Sequence, residues 1–411
     1  MKFIIDDEVV LSRPPEGPLA AHITTFAKWV SEQGYARRSR HRQVLLAARF
    51  SRWLGQHAVS VRSVSSEHQA QYLPSPRHVQ IRSGAAAALG QFMDFLRRQG
   101  VVPIEKIPLR RLIPIEQVVQ AFEHYLRNER ALSDATVVNY VPFVCKFLAD
   151  RFGDGPVMLS RLRAGDIVRF VRRQAPRLHL KRAKLLTTAL RSFLHYALYC
   201  GEVTCDLAAA VPTVANWSMT SIPRAIPAEA AHRLLASINR RTATGRRDYA
   251  ILLLLARLGL RAGEVVRLEL EDIDWDAGSV SVQGKGDQRS VLPLSADVGA
   301  AITAYLRHGR PRSNSRRIFL RTKAPIRGFL GSQAIASLVR HNLARAGIQA
   351  PTYGAHQFRH ALATEMLHHS ASLAEIGEVL RHRNPETTKI YTKVDLDSLR
   401  ALALPWPGGV R

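Results

Sequence analysis

Cysteines, acidic residues and long apolar runs are all scarce in this chain. The three cysteines, Cys145, Cys200 and Cys205, form no C-x-x-C pair and sit near no pair of histidines. That argues against a disulfide framework or a Cys-based zinc site, and fits a reducing cytoplasm. No apolar run reaches the roughly 18 residues of a membrane span. The stretch "YAILLLLARLGL" is too short and is interrupted by Arg257. The opening "MKFIIDDEVVLSRPPEG" turns acidic too early for a secretory signal. Asp and Glu number 33 against 59 Lys and Arg, so the formal net charge is +26. Such a surplus must be solvated or must meet a polyanion. Nucleic acid leads, because every phosphate contact releases condensed counterions. Genome composition explains a choice of Arg over Lys, but not a shortage of acid.

A chain of 411 residues is too long for one core. Two segments look like copies. "ALGQFMDFLRRQGVV" from Ala88 matches "ALRSFLHYALYCGEV" from Ala189, and "FAKWVSEQGYARRS" from Phe26 resembles "FEHYLRNERALSDAT" from Phe122. Apolar residues recur at helical spacing in both. The expectation is two consecutive helical bundles, residues 1–108 and 109–212, the first a duplicate of the second. A proline-marked linker follows at 213–226, then a third domain at 227–411. In that domain "SVSVQGKGDQRSVLPL" alternates apolar and polar residues about a Gly-Lys-Gly-Asp turn, a β-hairpin signal among helices. The predicted fold class is therefore mainly α. Two helical-bundle domains precede a mostly helical α+β domain with a small antiparallel sheet.

Four patches of the third domain hold chemistry-bearing residues. Arg261 stands at a Gly-marked break between helices, with Glu264 three residues on to hold its fork. Lys285 is at the tip of the "QGKGD" turn, where flanking glycines let the backbone approach a ligand. His356, Arg359 and His360 share "YGAHQFRHALAT". The i, i+4 histidines have zinc-pair spacing, but no HExxH glutamate or third ligand accompanies them, so no metal is expected. His382 and Tyr391 lie in "LRHRNPETTKIYTKV", a turn followed by a helix start. Each patch alone reads more readily as an ordinary surface pair, turn lysine or core tyrosine. Together, two Arg, two His, a Lys and a Tyr suit phosphoryl transfer without metal. The cations neutralise the phosphate oxygens, Lys protonates the departing alkoxide, and Tyr attacks.

These stretches, in this order, resemble the catalytic domain of the tyrosine recombinases, the lambda integrase, Cre and Xer superfamily. The motifs are "LGLRAGEV", "GKGDQRSVLPL", "HQFRHALAT" and "LRHRNPETTKIYTKV". The likeness is strong over 226–404, and 114–211 resembles the family's core-binding domain. The resemblance implies a site-specific DNA recombinase or integrase from a mobile element, acting through a 3′-phosphotyrosyl intermediate. Arg261 and Arg359 then clamp the phosphate, Lys285 is the general acid, and His356 assists proton transfer. His382 bonds the scissile phosphate, Tyr391 is the nucleophile, and Glu264 supports the site. One departure is Arg381-His382-Arg383, where the family often has Gly-His-Ser. Arg381, Arg383 and His360 are expected to touch DNA, the arginines alternatively a neighbouring subunit. The apolar stripe Leu396, Leu399 and Leu402 is expected to be donated to a neighbour. That implies a homotetramer on paired sites of double-stranded DNA, with no cofactor and no membrane, at the bacterial nucleoid in the cytoplasm. The alternatives are a type IB topoisomerase-like enzyme and a catalytically silent DNA-binding accessory protein.

Overall fold

Apolar side chains at helical spacing, not alternating ones, dominate the first half of the chain, and helices are what they form. The structure is a computed structural model that describes residues 3–6, 9–73, 82–104, 113–215, 224–284, 288–382 and 384–394. It divides into two compact units, Met1–Ile104 with Ser221–Arg411, and Glu105–Thr220.

The first bundle opens with a hairpin of β1 (Phe3–Asp6) and β2 (Val9–Leu11), which the helical pattern did not announce. Helices α1 (Ile23–Glu32), α2 (Arg37–Gln56), α3 (Ser66–Tyr72) and α4 (Arg82–Arg98) follow. Their apolar stripes, among them Phe26, Val44, Phe50 and Phe92, meet in one core.

The second unit holds α5 (Pro114–His124), α6 (Asp134–Phe152), α7 (Ala164–Gln174) and α8 (Leu180–Tyr199). Pro114 starts α5 where a missing N–H does no harm. Phe122, Phe147, Phe170 and Phe193 fill its core.

The C-terminal part begins with α9 (Ala228–Ser237), α10 (Ala243–Arg257) and α11 (Ala262–Arg267). Six consecutive residues of α10, Ala250 to Leu255, are buried, so this helix is core on every side. The predicted sheet is present as β3 (Ile273–Asp274), β4 (Ser279–Gln283) and β5 (Arg289–Pro293), antiparallel in that order. Val280 and Val282 of β4 point into the core with the period of a strand. Helices α12 (Ala296–His308), α13 (Ser332–Arg345), α14 (His356–His368) and α15 (Leu373–Val379) complete the packing. The run after Asn384-Pro385 winds as a 3-10 helix, Pro385–Val394, where an ordinary helix was expected.

Gly259 ends α10 in the left-handed region, at φ +55°. A Cβ there would lie 2.9 Å from Leu380 and 3.0 Å from Leu362. The glycine therefore permits both the turn and the close approach of two later elements. It brings the start of α11 against α14 and the turn after α15.

Candidate active site

Arg261 sits at the N-cap of α11 with extended backbone. Its own N–H donates to Glu264 Oε2 at 2.8 Å, and its Nη1 to Glu264 Oε1 at 2.8 Å. The break in the chain thus fixes the guanidinium through a carboxylate one turn away. Arg381 reaches the same carboxylate from far along the sequence, its Nη2 donating to Oε2 at 2.9 Å. Burial alone would raise the Glu264 carboxyl. The Arg261 N–H and the charges of Arg381 and Arg261 outweigh it and hold the group below the usual carboxylate range. Glu264 is therefore an anion shared by two cations.

Arg359, near the start of α14, is buried. Its Nη1 donates to the Gly259 carbonyl at 2.7 Å, and its Nη2 to the Leu380 carbonyl. Burial, and then the charges of Arg261 and Arg381, pull its guanidinium down to about 9. Three guanidiniums around one carboxylate leave a formal surplus of two positive charges. That is the balance a dianionic pentavalent phosphate needs.

Tyr391 is buried beside them. Its hydroxyl is 3.0 Å from His360 Nδ1. Burial pushes the phenol up to about 12, with Arg359 opposing. His360 is pulled down to about 4 by burial, then by His356 and Arg359. His382 is also lowered to about 4, by burial and then by Arg359 and Arg261. Its ring stacks on Tyr391 with centroids 6.4 Å apart, and its Nδ1 is 2.8 Å from the Thr388 hydroxyl. His356 and His360 have ring centroids 5.2 Å apart. At neutral pH the two imidazoles nearest Tyr391 are uncharged, so each carries one donor and one acceptor nitrogen.

Arg261, Glu264, His356, Arg359, His360, Arg381, His382 and Tyr391 thus come together. Lys285 and Arg383 lie outside the described residues, as does the stripe of Leu396, Leu399 and Leu402. The sequence reading placed Arg381 and His360 toward DNA, and their side chains are engaged with Glu264 and Tyr391. Buried Thr388 was not singled out, although the T-x-x-Y spacing behind the family resemblance contains it. Among the described residues no group of three or more His, Cys, Asp or Glu is arranged to hold a metal ion.

Arg381 stands at φ +54°, a region that suits glycine. Two substitutions separate its backbone strain from its charge. Arg381→Ala keeps the strain and removes the ion pair, and it is expected to lower stability by about 2 kcal/mol. Arg381→Gly relieves the strain and is expected to recover about 1 kcal/mol of that loss. Urea titrations check this, and unchanged stability in both variants would show that Glu264 needs no second guanidinium.

Comparison with known proteins gives the following likenesses. Residues 224–397 match the model of the phage integrase family, and residues 119–200 match that of the phage integrase N-terminal SAM-like domain. A putative integrase/recombinase, y4rA, of Sinorhizobium fredii is 54% identical over 408 residues, covering 99% of each chain. The tyrosine recombinase XerC of Azotobacter vinelandii is 31% identical over 69% of this chain and 93% of its own. Among solved structures, the XerH site-specific recombinase bound to palindromic difH substrate shares the fold with TM-score 0.55. It is 18% identical and covers 72% of this chain and 98% of that one. A lambda integrase tetramer bound to a Holliday junction has TM-score 0.52 at 15% identity, covering 75% of this chain and 87% of that one.

Proposed function

Because the chain belongs to the phage integrase family of tyrosine recombinases, we propose that this site-specific DNA recombinase cuts through Tyr391. The phenolic oxygen attacks the scissile phosphorus, a 3′-phosphotyrosyl bond forms, and the P–O5′ bond breaks. Lys285 gives the departing 5′-oxygen its proton. The phenolic proton passes to His360, which contacts His356. Arg261 and Arg359 hold the non-bridging oxygens, with His382 as a third donor. The observation that carries this assignment is the Tyr391 hydroxyl held by an uncharged imidazole next to buried Arg359. An arriving phosphate adds negative charge, which raises the imidazole's proton affinity at the moment it is needed. The test is a nicked suicide duplex carrying the protein's own site. The trapped peptide should contain Pro385–Val394 linked to a 3′-phosphate. A link elsewhere, or none, rejects the assignment.

Duplex DNA is the substrate and partner. In the second bundle α8 carries Lys181, Arg182, Lys184 and Arg191 and no acidic residue, so it offers a phosphate-binding face. Residues 109–212 are read as the core-binding domain and 227–411 as the catalytic domain. A homotetramer on paired sites is the working assembly; a lambda integrase tetramer bound to a Holliday junction shares the fold. A cavity of about 500 Å³, with an apolar side of Ile226, Leu235, Phe358 and Leu362 and a polar rim that includes Arg257 and Glu365, is its proposed socket. Leu396, Leu399 and Leu402 of a neighbour are the proposed occupant. Leu399→Asp with Leu402→Asp should abolish the paired-site complex on native gels while single-site cleavage persists. Loss of both together would place the stripe within its own domain instead. No helix among the described residues is long and apolar enough to cross a membrane. We assign the protein to the bacterial cytoplasm at the nucleoid, on a mobile element, and co-sedimentation with nucleoids tests the location.

A further inference from the structure

The two helical bundles repeat several contacts in the same chain order. In the first, Phe26 meets Phe92 with ring centroids 4.7 Å apart, and in the second, Phe122 meets Phe193 at 5.3 Å. Trp29 meets Phe95 at 5.6 Å, and Tyr125 meets Tyr196 at 5.0 Å. Phe50 meets Tyr72 edge-on at 5.2 Å and 61°, and Phe147 meets Phe170 edge-on at 5.2 Å and 64°. The 3-10 turn Val61–Ser63 leads into buried Val64, and the turn Leu159–Arg161 leads into buried Leu162. Shared composition makes helical bundles look alike in sequence. It does not reproduce the same aromatic pairs on the same helices in the same order. The first bundle repeats the aromatic contacts of the one whose residues 119–200 match the SAM-like domain.

The first bundle is also basic, with its cations concentrated on a different helix. In the second bundle α6 and α8 pack together, and α8 carries exposed Lys181, Arg182 and Lys184. In the first bundle the matching helices α2 and α4 also pack together, and here the cations sit on α2. That helix, RRSRHRQVLLAARFSRWLGQ, contains no acidic residue. Its Arg52 pairs with Glu16 and its Arg40 is buried, but Arg37, Arg38, Arg42 and Arg49 are exposed. None of these four is paired with a carboxylate among the described residues. Arg42 and Arg49 flank a cleft of about 670 Å³ between α2 and α4. They occupy the positions of exposed Asn139 and Lys146 on α6. Arg37 and Arg38 also stand at the positive end of the α2 dipole, with no side-chain cap and no acid in the first turn. That arrangement is unfavourable until an anion arrives.

We infer that the first bundle is a second duplex-DNA-binding module, holding the phosphate backbone through Arg42 and Arg49 at this cleft and exposed Arg38 one turn before Arg42 on α2. This rests on the reading of the second bundle as a DNA-binding domain. It gives the enzyme a second grip on DNA beyond the core site.

The full-length protein with a random-sequence duplex, read by fluorescence anisotropy across a salt series, tests it. Arg38→Gln, Arg42→Gln and Arg49→Gln are combined in one variant. A charge-matched control combines Arg13→Gln, Arg62→Gln and Arg98→Gln, exposed arginines away from the cleft. The first variant is expected to bind about 30-fold more weakly near 0.1 M salt, with a salt slope shallower by about 3. The control should lose less than about threefold. Equal losses in the two variants, or no loss in the first, overturn the inference. Circular dichroism confirms that both fold. Adduct formation through Tyr391 on the suicide duplex is measured in parallel. If wild type forms the adduct while the first variant binds normally, only this inference fails. If wild type forms no adduct, the proposed function fails, whatever the binding shows.

Discussion

Tyr391→Phe is expected to form no covalent adduct with a suicide duplex and to cleave at least about 10⁴-fold more slowly, because the substitution removes the proposed attacking atom and little else. The ring stays, and with it the packing beside His382 and the turn before it. One hydrogen bond to His360 is lost, so stability changes by no more than about 1 kcal/mol. Binding to duplex DNA is expected to be unchanged, since the phosphate-facing cations remain. A binding loss that matches the cleavage loss would mean that Tyr391 is core and not nucleophile. The same corner sets a pH response. His360 and His382 titrate near 4 in the folded protein, against about 6.5 in an unfolded chain. Between those values the unfolded state binds more protons, so stability rises with pH across the window and is lost on acidification. The denaturation midpoint should fall from pH 7 to pH 4.5, and fall less in His360→Gln. An equal fall in both would remove His360 from that account.

The parts of this molecule visible in its sequence are those encoded over short spans. The 3.6-residue period announced the bundles, the Gly-Lys-Gly-Asp turn announced the β4–β5 hairpin, and local spacing placed Arg261 with Glu264. The proposed catalytic set rests on four motifs whose order, not whose individual residues, made the resemblance. What the sequence did not show depends on contacts between distant residues. The pairing of Arg381 with Glu264 spans two elements joined only in the fold, and it needs a left-handed backbone at an arginine, which no propensity suggests. His360 reads as one more basic group after Arg359 until the helix phase turns its ring onto Tyr391. Gly259 reads as a helix stop, and only packing shows that Leu380 and Leu362 occupy the space its side chain would need.

Arg359→Lys, nominally conservative, is expected to reduce cleavage at least about 10³-fold. The guanidinium does two tasks that one ammonium cannot share. Its two terminal nitrogens hold the carbonyls of Gly259 and Leu380, which joins the α10–α11 break to the turn that carries Arg381 and His382. A lysine has no planar fork, so at least one buried carbonyl loses its donor, at a cost of about 1–3 kcal/mol. The second task is charge. Burial with Arg261 and Arg381 nearby brings even a guanidinium down to about 9. A lysine starts about two units lower in this environment and is pulled toward neutrality at the working pH. The site then loses one of its two surplus charges just as the pentavalent phosphate forms, and electrostatic stabilisation of that state falls accordingly. Arg261→Lys is the comparison, because its guanidinium is 37% exposed and a lysine there stays charged. It should lose cleavage about 10²-fold with little change in stability. Both variants are measured by single-turnover cleavage and urea titration. If Arg359→Lys cleaves within tenfold of wild type, neither the fork nor the buried charge is what the transition state uses.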